Sequence, residues 1–345
     1  MRILMLSGLC AVLNIGLVVP NAFALAKPAY HVAQTWKLAG DGGWDYLTMD
    51  SKAHRLYIAR GTRIQVLSTD SGALIGEVGG LAGAHGVALS PKTHRGYATS
   101  GRANTVVVFD TQTLKSVGAP IPVGENPDAI LFEPTTNRVW AFDADSNAVS
   151  IIDPQTAQVT QTVELGGNPE FGVSDGKGHM WVNIENTSEI VELSAANGKV
   201  LNRSSLAPGD GPTGLAYDAK SKRLYAGCAN KTMVVVDANT GKIATSLPIG
   251  DGVDATAFDA NRGLAFSSNG RDGTISVLGK DGASTTVTTH IGARTMTIDH
   301  ATGALFVVAA DYEAPTPAAP GQKPRRPQMI PGSAVVMKLV PDTTP

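Results

Sequence analysis

Hydrophobic residues along this chain gather in short runs rich in β-branched and aromatic side chains, as in Thr105-Val-Val-Val-Phe109, Ala148-Val-Ser-Ile-Ile152 and Met233-Val-Val-Val236. Each run closes on turn formers: Asp110, Asp153 and Asp237 end these three, and Gly72, Gly198 and Gly241 mark comparable turns. Runs of this kind predict β-strands joined by tight hairpins, because an Asp side chain bonds the backbone two residues on and Gly supplies positive φ. The pattern recurs with a period of about 42 residues from end to end. A period of that size built from several strands marks a repeat architecture.

The first strand of each repeat opens on a polar residue, at Asp45, His85, Asp128, Glu170, Thr213, Asp254 and Arg294, with intervals of 40, 43, 42, 43, 41 and 40 residues. The second strand carries an aromatic at one fixed place: Tyr57, Tyr97, Trp140, Trp181, Tyr225, Phe266 and Phe306. One large ring per repeat fills the wedge that widens between neighbouring blades away from a central axis, so these rings are expected to be core. The third strand is the β-branched run, and the fourth leads to a glycine such as Gly124, Gly166, Gly250 or Gly292. The repeat that begins at Arg294 runs out of chain after three strands. A segment with the fourth-strand pattern, residues 31–40, stands before the first repeat and is expected to pair with residues 334–339. The expected fold is therefore all-β: one seven-bladed β-propeller of four-stranded blades, closed by the N-terminal strand completing the last blade. Such pairing removes two exposed sheet edges.

The N-terminus sets the compartment. Arg2, an apolar stretch over residues 3–19, Pro20 and then Ala22-Phe23-Ala24 follow the order of a secretory signal, with cleavage expected after Ala24 and the periplasm as destination. The expected organisation is a signal peptide over 1–24 and a single propeller over 25–345, interrupted by a proline-rich insertion at 313–332. Ser7, Gly8, Asn14 and Gly16 interrupt the apolar stretch, which argues against a stable membrane anchor. Losing Arg2 and no acid takes the formal charge from −2 to −3, so nucleic acid is not an expected partner. Cys10 leaves with the signal and Cys228 stays alone, so burial and not a disulfide must hold the mature monomer together.

Phe266-Ser-Ser-Asn269, four spacers and Thr274-Ile-Ser-Val277 resemble the YVTN repeat of the YncE-like bacterial propellers, an aromatic-V-T-N stretch followed after four residues by T-V-S-V. Tyr97-Ala-Thr-Ser100 with Thr105-Val-Val-Val108, and Trp140-Ala-Phe-Asp143 with Ala148-Val-Ser-Ile151, are looser versions. The resemblance extends over essentially the whole mature chain. It implies an exported propeller with little helix and no particular reaction, since such folds host many functions.

In a propeller the first strands all start near one mouth of the axial channel, where the loops between second and third strands also converge, and that mouth is the expected site. The ligand-binding set read from the sequence is Asp45, His85, Asp128, Glu170, Asp254 and Arg294, with Glu185, Asn230 and Asn269 from the loops; Arg294 is expected to pair with Asp45 or Asp254. Converging carboxylates and one imidazole suit a small polar ligand or one divalent cation, for which Asp128, Glu170, Asp254 and His85 are the candidate ligands. His54, His94, His179 and His300 fall at turns on the opposite face. Gly172-Val-Ser174-Asp-Gly176 matches a nucleophile-elbow spacing but has no helix behind it, and a lone Cys228 is expected to be inert. Two functions follow: a module that binds a small polar molecule or a protein at the channel mouth or, alternatively, a metal-dependent hydrolase or lactonase with its ion at the mouth.

Overall fold

The computed structural model describes residues 29–314 and 328–342. The expected signal peptide and residues 315–327 of the proline-rich insertion lie outside them. Within the described residues, seven antiparallel sheets of four strands stand around an axis, with two short 3-10 turns as the helical content. In six of the sheets the strands follow chain order from the axis outward. The seventh is composite: Met296–Ile298, Leu305–Ala309 and Val335–Pro341 are completed on the outside by Tyr30–Lys37. The register runs from Tyr30 against Pro341 to Lys37 against Val335, with a bulge between Val32 and Gln34. His31 Nδ1 and Asp342 Oδ1 lie 2.5 Å apart beside this seam. The chain thus forms a closed seven-bladed propeller.

Its core consists of seven separate hydrophobic layers, one between each pair of neighbouring blades. All seven rings of the second-strand column are buried there. Close to the axis the blades nearly touch, and at their tightest approaches the innermost strands use small residues such as Gly86, Gly172 and Gly214 instead. A Cβ on Gly214 would stand 2.4 Å from the Thr256 amide nitrogen of the next blade, so glycine is required at this approach. The taper from Gly and Ala at the axis to Trp and Tyr further out is the wedge between blades written in side-chain volume.

The turn aspartates are structural. Asp110 Oδ1 accepts the amides of Gln112 and Thr113, Asp153 Oδ1 that of Gln155, and Asp237 Oδ1 those of Asn239 and Thr240. These amide donors hold the Asp110 and Asp153 carboxyls below their ordinary range. His54 and His94 occupy turn positions with φ of 53° and 52°, on the face away from the first-strand openers. At the foot of the insertion, the Glu313 amide donates to Gln328 O and that of Ile330 to Asp311 O, both at 2.8 Å, so the loop leaves blade seven as a short extra ladder.

Candidate functional site

Six of the seven openers bring their side chains to one mouth. His85 Nδ1 lies 2.6 Å from Asp45 Oδ2 and 3.3 Å from Asp128 Oδ1. A ring nitrogen carries at most one proton, which goes to the nearer carboxylate. Asp128 Oδ1 is left buried without a donor. Arg294 sits across the closure, with Nη1 3.1 Å from Asp254 Oδ2, Nη2 3.9 Å from Asp45 Oδ1, and Nη2 donating to Trp44 O at 3.0 Å. Both pairings expected for Arg294 are therefore present. Glu170 accepts a hydrogen bond from the Tyr46 hydroxyl at 3.2 Å.

The backbone of this ring is stapled from blade to blade. Thr99 Oγ1 donates to Asp128 O at 2.8 Å, Thr295 Oγ1 to Asp45 O at 3.0 Å, and Ser268 Oγ to Arg294 O. Each staple comes from the neighbouring blade and fixes where an opener begins. His85 has a further constraint, since a Cβ on Gly101 would meet its Nε2 at 2.7 Å. Gly101 is thus the floor on which the imidazole lies.

Burial next to other carboxylates makes ionisation unfavourable here. Asp128 is pushed well above the usual carboxyl range by burial first and then by Asp45 and Asp254, against the pull of Arg294. Glu170 is raised to about 9 by burial and by Asp128, Asp254 and Glu185. Asp254 rises only to about 6, because the Arg294 guanidinium opposes its burial. Glu185 opens the 3-10 turn after the second strand of blade four, and its charge acts on all three.

The other loop positions lie apart from this ring. Asn269 is fully buried and uses its amide on Thr274 Oγ1 and Ser276 Oγ, at 3.1 and 3.0 Å, inside blade six. Asn230 braces the approach to blade five, donating to Pro208 O at 2.7 Å and accepting the Asp210 amide at 3.1 Å. Thr213, the seventh opener, turns between blades to donate to Val253 O. The candidate metal set also regroups. Among the described residues, the cluster of His, Cys, Asp and Glu able to hold an ion is Asp45, His85 and Asp128, with donor atoms within 4.8 Å of one another. Glu170 is engaged by Tyr46 and Asp254 by Arg294. Cys228 is buried, and its thiol is pushed up to about 12 by burial, so it is no nucleophile.

Tyr46 is the residue that sequence reasoning missed. From blade one it crosses the axis to Glu170, and its ring packs 5.3 Å from Phe171 of blade four. It closes the channel beneath the acids. Its place directly after an opener was the available signal, but side-chain alternation along a strand does not say which residue reaches over the axis.

No family model matches the chain. Two curated relatives do: the protein YncE of Salmonella typhimurium strain LT2, 28% identical over 153 residues, and that of Salmonella typhi, 27% identical over the same length. The chain is a seven-bladed β-propeller that is similar to these YncE proteins over part of its length. Each match covers 41% of this chain and 42% of the relative, and both relatives are described as uncharacterized. The YncE-like resemblance therefore brings a scaffold, and the chemistry must come from the mouth itself.

Proposed function

We propose that this propeller is an exported, periplasmic binding module whose axial mouth takes one small cation, a divalent metal ion or a compact organic amine. The observation that carries this reading is the charge balance at the mouth. Five carboxylates, Asp45, Asp128, Glu170, Glu185 and Asp254, converge with one guanidinium and one imidazole, and Asp128 Oδ1 is buried without a donor. Burial favours the protonated forms of Asp128 and Glu170, and a bound cation takes the place of those protons, at a position where the staples have already fixed the carboxylates. Export is supported by the order Arg2, apolar stretch and Ala22-Phe23-Ala24.

A divalent ion is the second, narrower reading, favoured by the Asp45–His85–Asp128 cluster. Two carboxylate oxygens and one imidazole nitrogen form a donor set that suits a borderline or hard divalent ion. A hydrolase would require that ion, which would there polarise a substrate carbonyl. The test is elemental analysis of the purified mature protein, with melting curves after chelation and after adding Mn²⁺ or 1,4-diaminobutane separately. A stoichiometric ion or a rise in midpoint with Mn²⁺ supports the metal reading, and a rise with the diamine alone supports the amine. An ion-free protein whose midpoint responds to neither contradicts the proposal.

A further inference from the structure

The Tyr46–Phe171 contact divides the axial channel in two. Below it, a cavity of about 560 Å³ is lined by innermost strands of blade one and of blades three to seven. That volume lies within the range of small-molecule sites. Phe132, Phe171, Tyr217, Phe258 and Met296 are the aromatic and thioether side chains these strands add to its wall. Phe132, Phe171 and Tyr217 are only partly buried: each packs into a layer between blades, Tyr217 stacking on Trp181 at 5.1 Å, and also lines the cavity. The one carboxylate of the lining, Asp175, accepts the amides of Lys177 and His179 at 2.7 and 3.0 Å. Thr297 adds a half-buried hydroxyl without a protein partner among the described residues.

We propose that this lower cavity is a second binding site, distinct from the acidic mouth, for a small uncharged aromatic molecule bearing one hydrogen-bonding group. Aromatic walls favour a flat ring that stacks edge or face against them. The lining holds no Lys or Arg, and burial lowers the proton affinity of its one imidazole, His300; together with a carboxylate already occupied by amides, this disfavours an anion and gives an ammonium little to pair with. The Thr297 hydroxyl orients the polar end of the ligand. Tyr46 and Phe171 stand between this cavity and the acids, and Asp128 is not among the lining residues.

The test uses 2-naphthol as probe and the mature protein labelled at its methionine methyl carbons. Met296 lines the cavity, whereas Met329 lies at the foot of the insertion. The Met296 resonance is expected to shift in a saturable way, with a Kd on the order of 1 mM or tighter for a probe of this size, while Met329 stays in place. Thr297→Trp fills the cavity and abolishes the shift. Thr297→Val keeps the shape, removes the hydroxyl and weakens binding several-fold. Asp128→Asn leaves naphthol binding unchanged. No saturable shift at Met296, or equal shifts at Met296 and Met329, overturns the inference, as does a Thr297→Trp protein that keeps the Met329 resonance and binds as before.

Discussion

At the scale of single residues, Glu170 shows how the mouth couples stability to the protonation of its acids. Its carboxyl is raised to about 9 in the folded protein, against about 4.3 for an unperturbed Glu. A raised acid favours the folded state while both forms are protonated, and that contribution is lost as pH climbs from the unfolded value toward the folded one. Asp254 and Asp128 act in the same direction. Carboxyls held low, such as Asp110 and Asp153, titrate below this window and contribute equally throughout it. The melting midpoint is therefore expected to fall between pH 6 and pH 8, and Glu170→Gln to flatten the fall. A Glu170→Gln protein with the slope of the parent contradicts the assignment. Gly101 gives a second residue-level prediction. Gly101→Ala places a methyl against His85 Nε2 and forces the imidazole off Asp45, so cation affinity drops roughly tenfold while the melt changes little. Calorimetry on that variant checks it.

At the scale of elements, the blades rest on their interlayer rings. Trp140 is fully buried in the layer between blades three and four, and Trp140→Ala is expected to cost about 3–5 kcal/mol, read by chemical denaturation. This part of the protein was legible in the sequence, because the ring column repeats seven times and the turn aspartates and β-branched third-strand runs recur in several blades. The loop positions were less legible. Asn269 ends its second strand and Glu185 stands just beyond one, so neighbouring places in the repeat part: the first is sealed within its blade by Thr274 and Ser276 while the other projects its charge toward the acids. That difference depends on the third-strand hydroxyls opposite, which no single repeat position reveals. Tyr46 and the apolar lower cavity were hidden for a related reason. Phe171 and Tyr217 read as ordinary core in a period-2 strand, and only the closed ring leaves space at the axis beside them.

At the scale of the whole molecule, closure makes one ring from seven repeats. Tyr30–Lys37 protects the outer edge of Val335–Pro341, so removing residues 30–37 exposes a long unpaired strand. The truncated protein is expected to melt at lower temperature and to associate on gel filtration, and an unchanged monomer with an unchanged melt contradicts the closure. The same ring brings Arg294 of the last blade beside Asp45 of the first, so the mouth exists only when the circle is complete.

The claim that the mouth is a cation site is tested most directly by calorimetric titration of Mn²⁺ and of 1,4-diaminobutane into the mature protein and into Asp128→Asn. Asp128 carries the donor-free buried oxygen, and losing a charge-assisted contact of this kind weakens binding by roughly tenfold or more. The prediction is one-to-one binding of at least one of the two cations by the parent, weakened to that extent in the variant. Absence of binding by both, or equal affinity in parent and variant, contradicts it.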